Sequence, residues 1–203
     1  MTRTSVPSTI SYYNKNSESF IESTLEVDVS ELYSPFLKSI PMNGRILDLG
    51  CGSGRDTRHF VENSYDVVAL DASSEMVAAT RNVTSADVRQ MRFDEIVFHD
   101  EFDGIWACAS LLHVPKEGLA DVLRLCVQAL RPQGVIYVSF KYGTSEREAG
   151  GRFFSDMDEA GLKETIDKTG CDLSISHWIT PDNRPSRANE MWLNAILQSG
   201  HPG

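Results

Sequence analysis

Residues 45–56, Arg45-Ile46-Leu47-Asp48-Leu49-Gly50-Cys51-Gly52-Ser53-Gly54-Arg55-Asp56, decide the fold of this chain. An apolar run, Ile46, Leu47 and Leu49, leads into three alternating glycines, Gly50, Gly52 and Gly54, and then into a helix-compatible segment. The order is strand, tight turn, helix. Glycine permits positive φ and lets a ligand come close to the main chain. A helix start beyond it offers unpaired N–H groups to whatever lies over the turn. The stretch predicts a seat for a nucleotide-like ligand.

Downstream, strand and helix signals alternate: helix 55–64, strand 65–70 ending on Asp71, helix 74–82 with Ser73 or Ser74 as N-cap, strand 88–91 and strand 104–109. The helix over 116–130 is the clearest, with a stripe of Leu119, Val122, Leu123, Cys126, Val127 and Leu130 that must face a sheet or a helix. Pro115 opens it and Arg131-Pro132 closes it, before strand 134–141. Units of this kind need parallel strands and right-handed crossovers, so the expectation is a doubly wound, Rossmann-like α/β sheet. Two late strands, 172–179 and 190–197, follow a helix at 156–169; lacking a helix between them, they predict an antiparallel edge pair. Upstream, residues 1–11 read as flexible and 12–40 as a helical cap. Residues 142–155 read as a mobile, glycine-rich lid loop beside the 44–141 core and the 156–203 tail, all in one domain.

Composition narrows the functions. The 203 residues carry a formal charge of −10, which speaks against a broad phosphate-tracking surface and so against a nucleic-acid partner. No apolar run approaches a membrane span of about 20 residues, and the first residues lack the apolar core of a secretory signal. The four scattered cysteines, Cys51, Cys108, Cys126 and Cys171, read as reduced thiols of a cytoplasmic protein, and no spacing suggests a metal.

A dinucleotide fingerprint requires a third glycine at position 55 or 57, depending on register; Arg55 and Thr57 stand there. The acidic residue for a ribose is present as Asp71. The segments ILDLGCGSGRD, VVALDAS, FDGIWACASLLHVP and ALRPQGVIYVSF together resemble the class I S-adenosylmethionine (SAM) methyltransferases, over about residues 44–141. The glycine turn followed by arginine, in a short chain, looks most like the tellurite-resistance-type and other small-molecule members.

The resemblance implies roles. Gly50, Gly52 and Gly54, with Cys51, would lie under the methionine part of SAM, Asp71 would hold the ribose, and Ala72, Ser73 and Met76 would line the adenosine. Arg92 and Phe93 would stand near the adenine, although the family often has an acidic residue where Arg92 is. Ala109, at the end of strand 104–109 and so at the carboxyl edge where doubly wound folds bind ligands, is a further cofactor-binding candidate. Asp48 either orders the turn or binds the methionine amine.

Methyl transfer from a sulfonium is an in-line displacement in which the protein chiefly positions the reactants, so a dedicated base is optional. Candidates for acceptor contact or catalysis are Tyr12 and Tyr13, which either pack or face the cofactor, and His113, which either bonds backbone or meets the acceptor. Lys141 and Arg152 belong to a small basic island with Tyr142 and Arg147. The leading expectation is a SAM-dependent transferase for a small molecule. The alternatives are an NAD-linked oxidoreductase, a SAM-binding module without turnover, and an RNA or protein methyltransferase. Oligomeric state is not legible.

Overall fold

The apolar run before the glycine turn becomes the centre of a sheet. The computed structural model describes residues 7–184, 187 and 189–200. Strand β1 (Arg45–Leu49) pairs in parallel with β2 (Asp66–Asp71) on one side and β4 (Phe102–Ala107) on the other. Strand β3 (Asp87–Gln90) extends the sheet beyond β2, and β5 (Leu130–Lys141) beyond β4, both in parallel. Strands β8 (Leu173–Pro181) and β9 (Met191–Ser199) close the far edge, β9 antiparallel to both β5 and β8. The order is β3-β2-β1-β4-β5-β9-β8, the expected doubly wound, mostly parallel sheet with an antiparallel edge pair.

The central strands are buried on both faces, as parallel strands covered by helices must be. Along β1, Ile46 and Leu47 enter opposite cores, as do Trp106 and Ile105 of β4 and Tyr137 and Ile136 of β5. One face holds the aliphatic core against α6 (Lys116–Ala129) and α7 (Glu159–Thr169). The other is aromatic: Trp106 stacks on Tyr137 at 3.9 Å, with Phe36 from α3 (Ser30–Leu37) and Phe60 from α4 (Arg55–Glu62) packed beside it. Helix α5 (Ser74–Val83) begins at Ser73, whose side chain accepts the Met76 N–H at 3.2 Å.

Several expected boundaries move for local reasons. The helix expected from 156 starts at Glu159, because Asp158 is its N-cap and Asp156 and Met157 are spent on backbone bonds to Ser145 and Lys141. Strand β5 begins at Leu130 and passes an irregularity at which Gln133, with φ +67, takes a conformation that favours glycine.

Two corrections concern the cover. The region expected to be flexible up to residue 11 is helical from Pro7, in α1 (Pro7–Lys15); residues 1–6 lie outside the described residues. Helix α2 (Ser17–Thr24) follows, so the cap is three helices beginning earlier than expected. The expected loop at 142–155 is built around a hairpin, β6 (Glu146–Ala149) paired with β7 (Arg152–Ser155). Gly150 and Gly151 form its two-residue turn, both with positive φ as that turn requires. No helix among the described residues is long and apolar enough to cross a membrane.

Candidate active site

Open α/β sheets bind ligands at the carboxyl ends of their strands. A cavity of about 240 Å³ lies there, over the ends of β1, β2, β4 and β5 and beneath α1, α2 and β7.

The glycine turn is its floor. Gly50, Gly52 and Gly54 all have positive φ, at 89°, 53° and 84°. Gly50 is also confined, because a Cβ there would come within 2.4 Å of the Ser110 Cβ. Ser110 in turn donates its hydroxyl to the Leu49 carbonyl at 2.5 Å, tying the segment after β4 to the end of β1. Gly54 caps α4 and lies under the turn, off the cavity wall, where an added Cβ would strike Val83 and Thr80 of α5. Asp48 is also off the wall: it is buried in β1 and accepts the Thr57 hydroxyl at 2.5 Å. Burial first, and the Asp56 charge second, push its carboxyl upward. Both observations suit the reading in which Asp48 orders the turn.

Asp71 ends β2 on the cavity wall. Its oxygens accept backbone N–H groups from Gly52 at 3.0 Å and Ser73 at 2.9 Å. Burial nevertheless lifts its pKa to about 6, against the lowering by those amides. A buried carboxylate in this state gains from further donors, which two ribose hydroxyls would provide. Ala72, Ser73, Met76, Arg92, Phe93, Ala109 and Cys51 also line the cavity. The Arg92 guanidinium is occupied by Asp94 at 2.8 Å and 2.9 Å, leaving Phe93 as the apolar neighbour of the turn. Ala109 adopts φ +51, a conformation few residues other than glycine take, and its N–H bonds Ser139 at 2.8 Å.

At the opposite wall Tyr13, His113 and Arg152 converge. The Phe153 carbonyl, which can only accept, lies 2.6 Å from His113 Nδ1, so that nitrogen carries the proton. His113 Nε2 is then the acceptor for the Tyr13 hydroxyl, at 2.8 Å. Burial holds His113 neutral, its pKa down to about 4, and raises that of Tyr13. His113 thus bonds backbone, the first of its two expected readings, and it also lines the cavity. Tyr12 does not reach the wall; its ring lies 4.6 Å from the Arg152 guanidinium carbon.

The basic island divides. Lys141 lines the cavity but is paired with Glu190, and Arg147 is paired with Asp156. Arg152 is left among the rings of Tyr12, Tyr13 and Phe154.

Sequence reasoning missed part of the enclosure. Thr9 and Ile10 of α1 line it, as do Asp182, Arg184 and Trp192 around the β8–β9 connection. Asp182 accepts from Arg184 and from the Trp192 indole. Pro185, Ser186 and Ala188 of that connection lie outside the described residues.

Comparison with known proteins agrees with this geometry. A methyltransferase-domain family model matches residues 46–134. An uncharacterized methyltransferase of Staphylococcus carnosus is 25% identical over 171 residues, covering 82% of this chain and 79% of the relative. The putative methyltransferase YqeM of Bacillus subtilis is 30% identical over 132 residues; the match covers 60% of this chain and only about half, 52%, of that relative. Among solved structures, the 1,6-didemethyltoxoflavin-N1-methyltransferase of Burkholderia thailandensis, with S-adenosylhomocysteine bound, shares the fold with a TM-score of 0.72. It has 22% identity, covering 94% of this chain and 85% of that one. The glycine turn and the carboxylate ending β2 thus lie inside a stretch that matches a methyltransferase domain, and the sheet around them has the fold of an S-adenosylmethionine-dependent methyltransferase.

Proposed function

We propose that this protein transfers the methyl group of SAM to a small-molecule acceptor inside the cavity above the glycine turn. The observation that carries the reading is Asp71: a buried carboxylate with an upward-shifted pKa, at the end of β2 and beside a turn whose backbone is open to close approach. These residues fit the cofactor. Asp71 accepts hydrogen bonds from ribose hydroxyls, Met76 and Phe93 offer apolar surface for the adenine, and Gly50 and Gly52 admit the amino-acid portion. When bound, SAM supplies an electrophilic methyl group on a sulfonium with a neutral thioether as leaving group.

The protein's own contribution is positioning and exclusion of water. Helix α1 and β7 roof the cavity through paired contacts at both ends of α1 (Ser73 to Asn14 at 2.7 Å; the Phe153 N–H to Thr9 at 2.9 Å). The Tyr13 ring carries the Arg152 guanidinium over its face, 5.9 Å from its centre. Tyr13 and His113 are bonded to one another, so neither is a free base; they hold the acceptor wall in place. Supporting a small acceptor are the cavity of about 240 Å³ and a chain of charge −10. The Burkholderia enzyme that shares the fold holds 1,6-didemethyltoxoflavin together with S-adenosylhomocysteine, which supports the same reading.

Calorimetry with S-adenosylhomocysteine and separately with NAD tests the cofactor. Micromolar binding of the first and none of the second is expected. The reverse outcome rejects the proposal in favour of a dinucleotide enzyme.

A further inference from the structure

Building on the methyl-transfer reading, we infer that Arg152 seats the carboxylate of the acceptor, so that the substrate is a small organic acid. The cavity is lined by several cations, and almost all are already committed. Arg55 holds Asp56 through two bonds of 2.7 Å and 2.9 Å. Arg184 holds Asp182 at 2.8 Å and 2.5 Å, Arg92 holds Asp94, and Lys141 holds Glu190. Arg187 has Glu190 at 3.9 Å. Arg152 has no carboxylate within ion-pair reach among the described residues. In a chain with 29 acidic and 19 basic residues, an arginine left unpaired inside a cavity runs against composition.

What surrounds Arg152 makes the case specific. Its guanidinium carbon lies 4.6 Å from the Tyr12 ring centre, 5.1 Å from Phe154 and 5.9 Å from Tyr13. Rings stabilise a cation through their faces but accept none of its five N–H bonds in the plane of the fork. The Nε–H is buried without an acceptor. The neighbouring His113 is neutral, so nothing beside the fork supplies negative charge. One side-chain bond of the fork goes to the Tyr13 hydroxyl. A planar cation braced by aromatics, with its Nε–H still unspent, matches a carboxylate, which takes two parallel N–H bonds from such a fork. The ring contacts of Arg152 lie on α1 and β7, none of them on the glycine turn itself, so the fork is assigned to the acceptor.

The test uses the full chain saturated with S-adenosylhomocysteine. Benzoate, salicylate and indole-3-acetate are each titrated by calorimetry against the matching neutral amide. At least one acid is expected to bind about tenfold or more tightly than its amide. Arg152→Met should reduce that margin to roughly twofold or less, while S-adenosylhomocysteine affinity stays within about threefold of the parent. Arg152→Lys, which keeps the charge without the fork, should restore part of the margin. Equal binding of every acid and its amide overturns the assignment, as does a margin that survives in Arg152→Met. A tenfold loss of S-adenosylhomocysteine affinity in Arg152→Met with an unchanged acid margin also overturns it, and gives the fork to the cofactor's own carboxylate. Failure of the parent protein to bind S-adenosylhomocysteine removes the methyltransferase reading, an outcome separable from all of these.

Discussion

At the scale of single residues, the site depends on groups whose conformation or charge costs free energy in the unliganded protein. Asp71 titrates near 6 instead of its ordinary 3.8 because burial outweighs the amides it accepts. Between those values the folded chain holds the proton more firmly than the unfolded chain. Asp71 therefore contributes less stability as pH rises through that window, and the loss persists above it. Hydroxyl donors from a bound ribose favour the ionised form, so S-adenosylhomocysteine affinity should rise with pH through about 6, with a proton released on binding. Calorimetry near pH 6 in buffers of different ionisation heat measures that release; an affinity flat between about pH 5 and 7.5 would contradict it. Gly50 offers a second case. Gly50→Ala places a methyl group 2.4 Å from the Ser110 Cβ at φ +89. The combined strain and overpacking should cost about 2–4 kcal/mol in urea denaturation. These residues were legible because the signal is local: glycine spacing, and an acid at a strand end.

Among the elements, the roof was the least legible. Phe153 bonds Thr9 across 144 positions of chain, and no local pattern carries such a contact. The hairpin β6–β7 did leave a trace: Gly150-Gly151 between two short segments is a turn signature. The charged alternation of Glu146, Arg147 and Glu148 masked it, since a hairpin standing outside the main sheet has no buried face along its first strand. Thr9→Val removes the acceptor for the Phe153 N–H while keeping the shape of the side chain. Amide exchange at Phe153 should then accelerate by about tenfold, the equivalent of one ordinary hydrogen bond near 1.4 kcal/mol. Unchanged exchange would show that the roof is held by its ring contacts alone.

Across the whole molecule, the sheet was readable because alternating strand and helix signals leave few topologies. The aromatic face was only half readable. Trp106 is fully buried there, and no local pattern announces the polar centre of that core. Asp56 accepts from Arg55, from the Tyr33 hydroxyl at 2.7 Å and from the Trp106 indole at 2.8 Å. Burial works to raise its pKa, yet these donors hold it below the ordinary range, and Arg55 is held charged in turn. The knot joins α3, α4 and β4 at the cavity wall, which Arg55 and Asp56 line. Asp56→Ala should cost about 3–5 kcal/mol of global stability, because Arg55 would remain buried with no counter-charge. Urea denaturation measures it, and a loss under about 1 kcal/mol would show that water replaces the carboxylate freely.

Helix α1 is fastened near one end to the segment after β2, through Asn14 and Ser73, and near the other to β7, through Thr9 and Phe153. One nine-residue helix carries both bonds, so the Asp71 side and the Arg152 side of the cavity hang on a common tie.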